Sequence, residues 1–143
     1  QILGAEKIGL VSPYPSDLTE ASVGYWESRG FNVSEIASAS NMGSGFHSIY
    51  SLRASSAQDA CMKLRQKPLD AIVMLGTGMP TLAPIVDASK RGGPPVISCM
   101  LCLAWRTIQN IEDRHPDLQT LMKWIEADDW FDRLAASRPY TQR

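Results

Sequence analysis

The sequence has no apolar run near the ~18 residues that a bilayer-crossing helix needs, so no span is read in it. Neither sign of charge is in excess: 14 Lys+Arg stand against 15 Asp+Glu, a net charge of −1. With no basic stripe, neither nucleic acid nor a membrane surface is an expected partner. Histidine is scarce, at two residues, and no Cys/His/Asp cluster has metal-ligand spacing; no metal site is expected. No G-x-G-x-x-G follows the first strand and no Walker pattern occurs, which leaves nucleotide binding without a motif. Cysteine is sparse and odd in number: Cys61, Cys99 and Cys102. No export signal is read ahead of them, so the thiols are expected to be reduced and the protein cytoplasmic.

What is present suffices for one core. The chain has 143 residues, 44% of them hydrophobic, and one domain is the default. Its most informative stretch is Asp70-Ala-Ile-Val-Met-Leu-Gly-Thr-Gly-Met-Pro-Thr-Leu82. An apolar run, Ala71 to Leu75, stops at Gly76-Thr77-Gly78, and Pro80 stands where a helix is expected to open. Two glycines and a hydroxyl at such a turn leave backbone N–H groups open to an anion. A carboxylate- or phosphate-sized site is therefore expected at the C-terminal edge of a parallel sheet.

Around that turn the chain alternates strands and helices. A strand is read over 6–12, then a helix capped by Ser16 with Leu18, Ala21, Tyr25 and Trp26 as its apolar stripe and Gly30 as its stop. Phe31 to Ile36 reads as a strand, and 37–46 as a Gly/Ser-rich loop. Ser55-x-x-Gln58 has the capping-box pattern, with Ala57, Ala60, Cys61 and Leu64 following at helical spacing before Pro68. Strand 70–75, a helix from Pro80 to Gly92-Gly93, strand 95–98 and a helix from Met100 to Ile111 complete the alternation. Pro116 opens a further helix, and Trp130, Phe131, Leu134 and Ala135 suggest a last short one. The alternation predicts a parallel four-stranded sheet with helices on both faces, with ligand beyond the C-terminal strand ends. Residues 1–112 are read as this α/β unit and 113–143 as a helical extension whose aromatic payload covers another domain, a partner subunit or its own core. Ile2-Leu3-Gly4 reads as the end of a helix lying upstream, so a longer polypeptide is expected.

The order of these segments resembles the second half of maleate cis-trans isomerases and arylmalonate decarboxylases, in the aspartate/glutamate racemase superfamily. The resemblance rests on Ile8 to Asp17, Tyr25 to Val33, Asp70 to Leu75 with Thr81-Leu82, Pro94 to Ser98 and Leu103-Ala104-Trp105. It implies a flavodoxin-like half-domain and a cofactor-independent isomerase or decarboxylase acting on a small mono- or dicarboxylic acid through an enediolate. It also implies an active site between two halves, each bringing a cysteine at the end of its third strand. Here that position holds Gly76, so the acid–base thiol is expected from a missing first half, with homo-oligomers also expected. Arylmalonate decarboxylases work with one cysteine opposite a glycine. The family's active-site asparagine has no match, the nearest residues being Phe46 and His47, and Cys99-Met100 follows Ser98 where serine and asparagine are usual.

The expected catalytic residues are Tyr14, whose phenol can donate to a carboxylate, Thr77 at the anion turn, and Cys99. Pro13, Gly76, Gly78, Ser98 and His47 are the expected substrate contacts. Cys99-Met-Leu-Cys102 opens a helix after a strand, the arrangement of a redox motif. A thiol oxidoreductase using both cysteines therefore stands as an alternative, as does a carboxylate-binding relative without chemistry. Buried-helix packing would instead make Cys102 a core thiol, and Cys61 reads as core.

Overall fold

The computed structural model describes residues 2–39, 52–128 and 130. The glycine loop with His47, and the short helix expected around Phe131 and Leu134, lie outside the described residues. Four strands, β1 (Lys7–Ser12), β2 (Asn32–Ser38), β3 (Ala71–Met74) and β4 (Val96–Ser98), pair in parallel in the order β2-β1-β3-β4. The helices are α1 (Ser16–Glu27), α2 (Ala54–Leu64), α3 (Leu82–Ser89), α4 (Cys99–Ile111) and α5 (Leu118–Ile125). The expected parallel four-stranded α/β sheet is what the chain forms. No described helix is long and apolar enough to cross a membrane.

Strand alternation divides the apolar residues between two faces. Val11, Ile72, Met74 and Val96 point to one, where α2, α3, α4 and α5 supply Cys61, Leu64, Ile85, Leu101, Trp105, Leu121 and Ile125. Ile8, Leu10, Ala71 and Val73 point to the other. That second face is met by Val23 and Trp26 of α1 and by Phe31, all only partly buried. Not one residue of α1 is fully buried. Among the described residues one face is thus well covered, and the other is covered by a helix only where α1 lies over β1 and β2. The extension helix α5 docks on the well-covered face: Leu121 and Ile125 join its core, and the Trp124 indole donates to the Leu101 carbonyl at 3.2 Å.

Several ends differ from the sequence reading. Ser16 lies inside α1; Pro15 flanks it, and its carbonyl accepts from the Thr19 N–H at 2.9 Å. The Ser55-x-x-Gln58 pattern makes no capping box, because α2 starts at Ala54 and the Gln58 amide donates to Asp87 of α3 at 2.8 Å. β2 runs on to Ser38, drawn out by pairing of Ala37 and Ser38 with Val11 and Ser12. Helix α3 begins at Leu82, so Pro80 precedes it, while Pro84 occupies its first turn, where a missing N–H costs no bond.

The opposite, N-terminal edge of the sheet is pinned by Asp70. Its carboxylate accepts from the backbone N–H groups of Lys7 at 2.7 Å and Glu6 at 3.0 Å, tying the start of β3 to β1. The Lys7 and Glu6 bonds hold its pKa below the usual 3.8. A depressed carboxylate stabilises the fold above the unfolded-state pKa and loses that contribution as pH falls through the folded-state value. Asp70→Asn is therefore expected to unfold at lower denaturant than the parent at pH 7, with the gap closing below pH ~3.8. A gap independent of pH, in urea titrations followed by circular dichroism, would show that the charge plays no part.

Candidate functional site at the C-terminal sheet edge

From β1 the chain steps to β2 on one side, then crosses back past β1 to β3 on the other, so the strand order reverses between β1 and β3. In open α/β sheets this reversal leaves a crevice beyond the strand ends. Two turns meet there. Ser12-Pro13-Tyr14 leaves β1, and Leu75-Gly76-Thr77-Gly78 leaves β3.

The first turn is held by a closed set of hydroxyl bonds. The Tyr14 N–H donates to Ser12 Oγ at 3.2 Å, and Thr19 Oγ1 donates to the Tyr14 carbonyl at 3.3 Å. Ser12 and Thr19 hydroxyls lie 2.7 Å apart. With the Thr19 proton committed to the carbonyl, Ser12 is the donor in that pair. Two residues from two elements thus fix where the Tyr14 backbone sits. The sequence reading missed Thr19, because its role depends on α1 folding back over the end of β1.

The second turn fits against the first. Gly76 has φ +83°, in the left-handed region, and a Cβ built there would lie 2.8 Å from Pro13 Cγ and 3.5 Å from the Tyr14 hydroxyl. Pro13 therefore occupies the space a side chain at 76 would need. Among the described residues, the N–H groups of Gly76, Thr77 and Gly78 donate no backbone hydrogen bond. They are available to an anion at the edge of the sheet.

The third contribution comes from β4 and α4. Ser98, 2% exposed, caps α4: its Oγ accepts from the Leu101 N–H and from the Thr81 hydroxyl, each at 3.2 Å. Two accepted bonds leave Ser98 its own proton to donate. Cys99 is the first residue of α4 and is exposed; Cys102, one turn on, is half-buried.

Tyr14, Gly76, Ser98, Cys99 and Cys102 line the polar end of one cavity of about 460 Å³. Leu18, Tyr25, Trp26, Val73 and Ile97 form its apolar part, which runs between α1 and the thinly covered sheet face. A second cavity of about 320 Å³ on the same face shares Trp26, Val73 and Ile97. Of the residues singled out from sequence, Tyr14, Gly76, Ser98 and Cys99 are brought to this cavity, and Pro13 packs on Gly76. Thr77 is exposed and Gly78 half-buried at the same turn, neither on the cavity wall. His47 lies outside the described residues. Cys102 is a wall residue rather than a core thiol. The buried ridge of α4 is Leu101, Trp105 and Gln109, and Cys102 stands one position off it. Cys61 is core, and burial pushes its thiol up to about 11. Among the described residues no group of three metal-ligating side chains converges.

Burial raises the Tyr14 pKa above 10.0, and the negative charge of a Cys99 thiolate adds to the rise. The phenol therefore stays protonated, a hydrogen-bond donor, through neutral and moderately alkaline pH. Burial likewise raises the Cys102 thiol, with Cys99 as a further cause.

Two predictions follow from this geometry. In Cys99→Ser, Tyr14 is expected to ionise at lower pH than in the parent, read by NMR of ring-labelled tyrosine with Tyr14→Phe for assignment. An unchanged midpoint would separate the two residues electrostatically. Gly76→Cys is expected to destabilise the fold by about 2–4 kcal/mol, from a left-handed backbone and a clash with the Pro13 ring. Adding Pro13→Ala should return the clash part only. A fully stable Gly76→Cys protein would show that this turn adapts freely.

No protein-family model and no curated protein matches the sequence. Solved structures do. A variant of the Nocardia farcinica maleate cis-trans isomerase, with a covalently bound succinylcysteine intermediate, is 26% identical at a TM-score of 0.68, over 79% of this chain and 45% of that one. The maleate isomerase of Pseudomonas putida S16 is 25% identical at 0.67, over 79% and 45%. Arylmalonate decarboxylase, 20% identical at 0.63 over 75% and 47%, shows the fold alone. The structural neighbours of this chain are thus enzymes of the aspartate/glutamate racemase superfamily, and it spans about half their length.

Proposed function

We propose that this chain is one half-site of a cofactor-independent isomerase or decarboxylase acting on a small mono- or dicarboxylic acid through an enediolate-like intermediate. The observation that supports this reading is that one cavity at the C-terminal sheet edge is lined by a protonated phenol, by a turn whose N–H groups donate no backbone hydrogen bond among the described residues, and by a thiol. The substrate carboxylate sits at the Gly76 to Gly78 turn with the Tyr14 hydroxyl donating to it, and its carbon skeleton lies toward Val73 and Ile97. Ser98 has one proton to add.

The chemistry asked of these groups is charge stabilisation. When a thiolate base takes the proton from the carbon next to the carboxylate, the C–H electron pair spreads onto the carboxylate oxygens. In decarboxylation the C–C pair does the same as carbon dioxide leaves. Donors fixed beforehand where that charge grows need not reorganise during the step. A thiol then returns a proton to the carbon. Gly76 supplies none. Cys99 is the more exposed of the two thiols this chain brings to the cavity, and the opposing one comes from a first half of the kind that makes the structural neighbours twice as long. A second copy of the chain is the other source of that half-site. A carboxylate-binding relative without chemistry is the second reading, favoured by Pro13 filling the space beside Gly76.

The experiment is exchange of the substrate α-hydrogen in heavy water, followed by proton NMR, with malonates and maleate as probes. Exchange is expected in the parent, with a loss of about 10²–10³ in Tyr14→Phe, the usual effect of removing one oxyanion donor. Chemical-shift changes on adding malonate without any exchange would select the binding reading. Neither exchange nor shift changes would overturn both.

A further inference from the structure

The proposed half-site uses Cys99 and leaves Cys102 without a task, yet both thiols line the same cavity wall. They occupy the first and fourth positions of α4, three residues apart on one turn. Helix geometry places Cα atoms at that spacing about 5 Å apart, inside the ~4.4–6.8 Å range that a disulfide bridges. Cys99 is exposed and meets a solute first; Cys102 is half-buried behind it. The third thiol, Cys61, is 1% exposed among the side chains of the opposite sheet face and is out of reach of both.

We propose that Cys99 and Cys102 form a reversible, hydroperoxide-sensitive dithiol that closes the polar end of this cavity. The thiolate of Cys99 attacks one oxygen of the peroxide. The O–O bond breaks, hydroxide leaves and takes up a proton as water, and Cys99 becomes a sulfenic acid. The Cys102 sulfur then attacks the Cys99 sulfur. The S–O bond breaks, and the departing hydroxide takes the Cys102 proton as a second water. The two thiols have lost two electrons and the peroxide has gained them. The bond ties the exposed sulfur back to the helix, which removes the cavity's reactive thiol. A small dithiol reductant restores it by exchange. Retention of a second thiol beside Cys99 then has a chemical reason: it intercepts the sulfenic acid before further, irreversible oxidation. The effect on turnover rests on the function proposed above; the disulfide itself does not.

The test treats the whole chain with hydrogen peroxide, blocks remaining thiols and digests with trypsin. Cleavage after Arg91 and Arg106 puts both cysteines in one peptide, separate from Cys61. That peptide is expected to lose two hydrogens, about 2 mass units, and to regain them with dithiothreitol. In Cys102→Ser the same dose is expected to leave Cys99 as a sulfenic acid trapped by dimedone, then as sulfinic acid. A second readout is the Tyr14 ring, which should ionise at lower pH in the oxidised parent, because the Cys99 thiolate has gone. A wild-type peptide in which Cys99 passes to sulfinic acid while Cys102 remains alkylatable would overturn the proposal. That mass readout holds whether or not the chain exchanges α-hydrogens.

Discussion

The contact between the ends of β1 and β3 is the constraint on which the site depends. These strands are hydrogen-bonded neighbours, so whatever follows each must share one small volume at the sheet edge. The chain resolves the crowding by omitting a side chain at 76 and turning the backbone left-handed there, which admits the Pro13 ring and brings the Tyr14 hydroxyl over the turn. Ser12 and Thr19 then hold the other side of the same approach. Phenol, glycine turn and thiol meet because the sheet brings three strand ends together, and each end is held by its own short-range bonds rather than by a long loop.

The uneven covering of the sheet follows from where the helices attach. Four helices feed one face, while α1 leans over β1 and β2 and leaves Val73 and Ile97 to line open cavities. An apolar wall beside a polar mouth suits an acid whose carboxylate is held at the edge and whose skeleton is carried inward. The same opening exposes the flank of α4, so the thiols there meet solutes that the thiol of Cys61 never meets. Covering and reactivity are set by one feature of the topology.

Much of this was legible in the residues. The apolar run of β3 and its abrupt end at Gly76 needed only local pattern, as did a helix opening near Cys99-Met-Leu-Cys102, one residue ahead of the Met100 start read from sequence. What was not legible depended on partners far along the chain. Ser55 and Gln58 spell a cap, yet Gln58 is claimed by Asp87, which lies 29 residues on. Asp70 looks like an ordinary polar residue before a strand, and only the β1–β3 register shows that it accepts from Glu6 and Lys7. Ser12 and Thr19 are unremarkable hydroxyls until α1 stacks over the strand end. Pro80 has the residue type of a first helical position, but the wider β3 turn carries the chain two residues further before α3 begins.

A glycine where the sequence resemblance places a cysteine invites the reading that a catalytic group was simply deleted. The geometry argues for a rebuilt turn instead. Deletion alone would leave a void the size of a thiol beside an unchanged backbone. Here the backbone at 76 has a conformation that side chains rarely adopt, and Pro13 fills the space. The parts proposed to hold a carboxylate fit that rebuilding: among the described residues the turn's N–H groups donate no backbone hydrogen bond, and the phenol stays protonated. The thiol at the cavity now comes from α4, one strand further along the sheet, where it has a second sulfur for a neighbour and solvent for access. The proposed half-site gives up symmetry with a cysteine-bearing partner half. What it gains, on the dithiol proposal, is a thiol whose state the surroundings can change without disturbing the turn proposed to hold the carboxylate.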